Sequence, residues 1–348
     1  MIKYLIHKEF LQIRRNGFLP RLIIMFPIMI MCIMPWVMNQ EVKNVRVDVV
    51  DIDRTTQSQQ LVHQIEVSNY FIFNGQKETY QEALEDIETS KADIILEIRD
   101  GQYLIAANAV NGTKGSIGSA YLSQIVNGNL SPTSPRISAP SSLFLYNKHQ
   151  NYKVYMIPAL FAILLMLMTG FLPALNIVGE KEKGTIEQIN VTPVSKWSFI
   201  FAKLIPYWII ALFLITICLL LSWLIYGITC QGNLLFVYLL AMLLALFFSS
   251  LGLIISNYSD TMQQAIFVMW FFVVCMLLLS GLFTPTRSMP QLAYLTTYVN
   301  PMHYFIDAIR TVFVRGGTFQ SIAHQVFALL CISSLMGVWA VKSYKKNN

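Results

Sequence analysis

Charge is what this sequence has least of. Only 13% of its 348 residues are Asp, Glu, Lys or Arg, against 55% hydrophobic, roughly half the charged share of an ordinary globular chain. Spread evenly, such a composition would aggregate; gathered into runs, it belongs in a membrane. Cysteine is sparse too. Cys32, Cys218, Cys230, Cys275 and Cys331 include no C-x-x-C pair, and none falls in the polar stretch 39–152, which excludes a disulfide scaffold there and a thiolate metal site. No G-x-x-x-x-G-K-[ST] occurs, so the chain has no phosphate-cradling loop of its own. Residues 111–116 resemble one but have the wrong spacing. H-E-x-x-H and G-x-S-x-G are absent as well, and an enzyme reading finds no support.

The charges that exist are clumped. Charge-free runs cover 22–40, 154–179, 204–259, 261–286 and 316–341. About 20 apolar residues cross a bilayer core as a helix, so four runs hold one span each. The long run holds two, broken by Gly227, Gln231, Gly232 and Asn233. The expected fold is an α-helical polytopic membrane protein with six transmembrane helices, at 21–38, 154–178, 202–226, 233–256, 262–283 and 318–341. The first run is preceded by Lys3, Lys8, Arg14 and Arg15 and ends at Pro35-Trp36 without a small-residue cleavage site. It therefore reads as a retained helix, not a signal peptide.

Residues 39–152 carry a net charge of −4 and the rest of the chain +10. A polar domain is thus inserted between spans one and two. Basic residues of short segments favour the cytoplasmic side. Lys3, Lys8, Arg14, Arg15 and Arg21, then Lys181, Lys183, Lys196 and Lys203, then Lys342, Lys345 and Lys346 fall on one side of a six-span chain. Both termini are expected in the cytoplasm of a bacterial cell with the inserted domain outside its inner membrane. Arg287, Arg310 and Arg315 run against that rule, and the loop near Asp260 is placed inside without a basic residue.

Residues 1–20 read as an amphipathic helix, with Ile2, Leu5, Ile6, Phe10 and Ile13 on one face, lying in the membrane surface. The inserted domain alternates strand and helix signals: a strand at 45–50, a helix at 57–68, a strand at 70–73, a capping box opened by Thr79 and Glu82, a hairpin around Asp100-Gly101 and a helix at 116–126. It is an α/β domain. Residues 131–142, rich in Ser and Pro, return the chain to the membrane. Asp48, Asp51 and Asp53 invite a cation site, but without a glycine-punctuated loop they read as solvated strand-end residues.

The spans also lack ionisable residues. Ion-coupled transporters hold Asp, Glu, His or Lys at mid-membrane; here only His324 lies within a run, near an interface. Transport by this chain would draw its energy from another subunit. Two segments say more. After span two, in the loop 179–199, Glu180-Lys181-Glu182-Lys183 leads into Gly184-Thr185, Glu187 and then Thr192-Pro193, a short charged helix suited to docking on a cytoplasmic partner. In residues 284–314 and just before them, Ser280-Gly281, Pro285, Met289-Pro290 and Asn300-Pro301 break the helix, yet Leu292, Leu295, Phe305 and Ile309 are too apolar for a free loop. They read as re-entrant helices, tolerated when buried in protein or lining a cavity.

Together these two patterns resemble the permease subunits of type-2 ABC exporters, in the subgroup with a large domain between spans one and two. Val49-Val50-Asp51-Ile52-Asp53 and Tyr146-Asn147 stand where that subgroup carries related residues. The resemblance implies a half-transporter: two permeases, identical or paralogous, with two separate ABC ATPase subunits that bind ATP and Mg. Glu180, Glu182, Gly184, Thr185, Glu187, Thr192 and Pro193 would contact the ATPase as a coupling helix. Residues 1–20 would be the connecting helix beside it, and 342–348 a cytoplasmic tail. Ser280, Gly281, Pro285, Met289, Pro290, Asn300 and Pro301 would form the outer gate segment. An amphiphilic, drug- or lipid-like substrate, a periplasmic adaptor and an outer-membrane channel are further implications. No cofactor, metal or nucleic acid is expected on this chain itself. A membrane-anchored sensor or assembly factor, with the outer domain as receptor, is the alternative, and it predicts no ATPase partner.

Overall fold

The structure, a computed structural model, describes residues 2–37, 45–68, 70–89, 91–108, 112–129, 152–186, 195–283, 286 and 289–344. The expectations for 131–142, for Tyr146 and Asn147 and for 345–348 lie outside the described residues. Two compact units result: residues 40–143, and the rest of the chain.

The chain starts with α1, Ile2–Arg15, and α2, Leu19–Val37. Asn16 makes the corner between them, its Oδ1 accepting the N–H groups of Phe18 and Leu19. Residues 40–143 then form β1 (Val45–Asp51), α3 (Thr56–Val67), β2 (Phe71–Gln76), α4 (Tyr80–Glu88), β3 (Ile94–Arg99), β4 (Gln102–Ala107) and α5 (Gly112–Asn129). The last helix is longer than the expected 116–126. The sheet order is β2-β1-β3-β4, parallel except for the β3–β4 hairpin. Strands buried on both faces need apolar residues on both. Val45, Val47 and Val49 meet Leu61, Ile65, Leu122 and Val126 of α3 and α5, while Val50 and Ile95 meet Ala83 of α4. Thr79 caps α4 by accepting the Glu82 N–H.

Two of the three acidic residues are not solvated, contrary to the expectation. Asp48 and Asp51 are buried. Asp48 accepts from Asn74 Nδ2 at 2.8 Å, and Asp51 from Ser58 Oγ at 2.6 Å and the Arg54 N–H at 2.9 Å. Asp53 takes the N–H groups of Asp100 and Gly101, each at 2.8 Å, and so pins the hairpin turn. These carboxylates satisfy backbone and side-chain donors that burial would otherwise leave unpaired.

The helical unit continues with α6 (Tyr152–Glu182), α7 (Lys196–Tyr226), α8 (Leu234–Tyr258), α9 (Met262–Leu278), α10 (Gln291–Thr297), α11 (Pro301–Arg315) and α12 (Phe319–Ser343). Among the described residues five helices, α2, α6, α7, α8 and α12, are long and apolar enough to cross a membrane; α9 is a shorter apolar helix of 17 residues. It stops at Leu278 rather than 283, because Ser280 Oγ accepts the Leu282 N–H and Gly281 turns the chain at φ 82°.

Helices α6 and α8 form the centre. Residues 156–166 of α6 are all buried, and there α6 widens into a π-turn at Leu167–Phe171. The reason is close approach. A Cβ on Gly252 of α8 would lie 2.5 Å from the Gly170 carbonyl oxygen, and small residues are what let membrane helices touch backbone to backbone. Gly252→Val should therefore lower stability by about 1–3 kcal/mol, the usual cost of overpacking. Thermal unfolding of the purified protein in detergent checks this, and an unchanged midpoint would contradict the contact.

Candidate functional site

The charged residues at the end of α6 do not all face outward. Glu182, Lys183 and Thr185 are exposed, but Glu180 is buried. It belongs to a cluster with Lys8 and Glu9 of α1 and Lys203 of α7. Lys203 Nζ lies 2.7 Å from Glu9 Oε1 and 2.6 Å from Glu180 Oε2. Lys8 Nζ lies 3.0 Å from Glu9 Oε1 and 2.9 Å from Glu180 Oε1. Each cation thus touches both anions, and the four charges balance. Lys203, Glu9 and Glu180 are 1%, 2% and 5% exposed.

Hydrogen bonds extend the cluster. Asn176 Nδ2 donates to Glu9 Oε2 at 3.0 Å, and Gln12 Nε2 to Asn176 Oδ1 at 2.8 Å. Burial alone would pull the Lys8 ammonium down, but the Glu180 and Glu9 carboxylates outweigh it and hold its pKa above the ordinary lysine value.

Two expectations change here. Lys203, counted above with the loop charges although the expected span 202–226 contained it, is buried within α7, which begins at Lys196. The helix of the third span thus carries a buried lysine near its start. Glu180, expected on the partner-facing surface, turns inward and is already shared by two lysines. The spacing of Lys203 within the α7 pattern, and Glu9 as the one acid among the basic residues 1–20, were the signals that could have exposed the cluster.

The outward residues are held from a different side. Lys181 Nζ meets Asp260 Oδ1 at 2.7 Å and the Ser259 carbonyl at 2.9 Å, and Glu182 Oε1 accepts the Met262 N–H. The Lys181 ammonium holds the Asp260 carboxyl below the usual carboxylate range. Gly184 takes a left-handed turn at φ 68°, which glycine adopts without Cβ strain, and Thr185 Oγ1 donates to the Glu180 carbonyl. Glu187, Thr192 and Pro193 lie outside the described residues.

The second motif gathers around the start of α11. Asn300 caps that helix through the Met302 N–H at 3.0 Å, with Pro301 in its first turn, and its Nδ2 donates to the Met276 carbonyl of α9 at 2.7 Å. Ser280 and Gly281 are buried in the turn that ends α9. Arg310 stacks on Tyr155 at 3.5 Å and donates to the carbonyls of Tyr155 and Gly281. It is engaged with the protein and is not a free loop charge. Met289 and Pro290 precede α10; Pro285 and Arg287 lie outside the described residues. Among the described residues no group of three His, Cys, Asp or Glu could hold a metal ion.

Residues 21–341 match the family described as ABC-2 family transporter protein. The chain is 25% identical to the "Probable multidrug ABC transporter permease YbhR" of Escherichia coli K12, over 98% of this chain and 97% of that one. It is 26% identical to the "Probable multidrug ABC transporter permease YbhS" of the same organism, over 67% and 62%. With the "Inner membrane transport permease YhhJ" it shares 22% over 72% and 70%.

Breaking one member out of a buried ion cluster leaves its partner uncompensated, at about 3–5 kcal/mol. Lys203→Met should therefore lower thermal stability sharply, and adding Glu180→Met should recover part of the loss. A single variant as stable as the parent in a detergent melt would contradict the cluster.

Proposed function

The chain belongs to the ABC-2 transporter family and is a permease subunit of an ABC exporter, a multi-pass inner-membrane protein that works with ABC ATPase subunits and a permease partner; on that basis we propose how its parts divide the task. Six helices, α2, α6, α7, α8, α9 and α12, cross the membrane, with α1 in the cytoplasmic surface and both termini inside. Residues 40–143 form the extracytoplasmic domain. The segment from Glu182 through Gly184, Thr185 and Glu187 to Thr192-Pro193 meets the ATPase, which binds ATP and Mg. Glu180 joins that segment to α1 and α7 instead of touching the ATPase.

One observation carries the assignment. A helix end with exposed Glu182, Lys183 and Thr185 beside a glycine turn is fastened by buried ion pairs to two further helices. Such an arrangement offers a docking face outside and a rigid attachment inside, which is what transmitting a partner's movement requires. The turn that joins Ser280-Gly281, Asn300-Pro301 and Arg310 closes the other end of the same helices, and it forms the outer gate. The names of the YbhR and YbhS relatives, multidrug transporter permeases, support a drug-like, amphiphilic substrate. An adaptor and outer-membrane channel would receive it from the extracytoplasmic domain.

Gly184→Val strains a left-handed position by about 1–2 kcal/mol and reshapes the docking face. Combined with Thr185→Ala, it should abolish ATP-driven efflux of a lipophilic cationic dye from proteoliposomes holding the permease and its ATPase, with the permease still folded. Wild-type efflux and ATP turnover in that double variant would refute the docking assignment.

A further inference from the structure

Lys181 and Glu182 are adjacent and opposite in charge, and they hold two different ends of one short turn. Ser259 closes α8, where the last carbonyls have no partner within the helix and the dipole is negative; Met262 opens α9, where the first N–H groups are unpaired and the dipole is positive. The cation sits on the first, with Lys181 Nζ 2.9 Å from the Ser259 carbonyl and 2.7 Å from Asp260 Oδ1. The anion sits on the second, with Glu182 Oε1 2.6 Å from the Met262 nitrogen. The opposite order of charges would set like against like at both ends. Thr261 already caps the Gln264 N–H and Gln264 returns to the Asp260 N–H, so Glu182 supplies the acceptor that the Met262 donor needs.

Among the described residues, this end of α9 is otherwise packed through Met262. The buried residues of the helix are a single stripe, Ala265, Met269 and Val273, while Phe267, Trp270 and Phe271 are exposed. The helix rides on α6: Met262 packs on Gly179, Met269 on Gly170, and Trp270 meets Phe171 edge-on.

We propose that Lys181 and Glu182 are positioning residues that carry displacement of the docking segment directly into α9, by gripping the α8–α9 turn through its helix ends and Asp260. This rests on the permease reading above and assigns Glu182 an inward task beside its exposed face. It also gives the loop at Asp260, placed inside without a basic residue of its own, the function of receiving one.

Hydrogen exchange on the full chain in detergent, without ATPase, tests the grip. Glu182→Ala should speed exchange at the first amides of α9, and Glu182→Gln, which keeps an acceptor oxygen, should restore protection. Unchanged exchange in the alanine variant overturns the grip. In the complex, Lys181→Glu should lose ATP-driven efflux of the cationic dye while the ATPase still co-purifies, and adding Asp260→Lys should return most of it. A folded, ATPase-bound double variant that stays inactive overturns the delivery role. Absence of any ATPase from the wild-type preparation would instead overturn the permease reading, and the delivery role with it, while the exchange result would still decide the grip.

Discussion

Three charges packed out of water, Glu9, Glu180 and Lys203, with the half-exposed Lys8 completing their balance, are the constraint on which this structure turns. Moving a carboxylate or ammonium into a low-dielectric interior costs several kcal/mol per ion, returned only when geometry is good and the remaining polar atoms are satisfied. Lys8, Glu9, Glu180 and Lys203 offset that cost by alternating cation and anion, while Asn176 donates to the other oxygen of Glu9 and Gln12 donates to Asn176. A shift of α1 or α7 along α6 would leave a buried charge unpaired, so the charge balance opposes it. For a protein moved by a partner, resistance to such a shift means that force applied to one helix end reaches the others without slipping.

The rest of α6 suits that role. Its lower end is fixed by ions, and its middle is pressed against α8 at Gly170 and Gly252, where the π-turn relieves a backbone contact that no side chain would permit. Its upper end meets Arg310 through Tyr155. Arg310 in turn binds the Gly281 carbonyl, and Asn300 binds Met276, so the two pieces of the outer motif are tied to one another and to α9. In the proposed division of tasks, movement at the docking segment has two routes outward, along α6 and through α9. Both end at the same turn.

Much of this was legible in the sequence, and for a physical reason: a bilayer enforces long charge-free runs, and runs can be counted. The strands and helices of residues 40–143 were legible through alternation and through Thr79 and Asp100-Gly101, whose local chemistry dictates a cap and a turn. What could not be read was the direction in which a charge points. Lys203 borders an apolar run and counts as a loop residue until a helix is known to begin at Lys196. Glu180 and Glu182 belong to one motif, yet two positions apart on a helix face they differ by about 200°, so one is buried and the other exposed. Asp48, in the middle of β1, and Asp51, at its end, are covered by Asn74 and Ser58. For Lys203, Glu180 and Asp48 the partner lies far off in the chain; for Asp51 it lies on the next helix.

The central claim is that α1, the end of α6 and the start of α7 move as one body. Spin labels at the exposed positions Arg14 and Trp197, measured by pulsed electron resonance in the permease–ATPase complex, test it directly. The account predicts the same distance distribution in the nucleotide-free state and in the state trapped with ADP and vanadate. A distribution that shifts between the two states would contradict it.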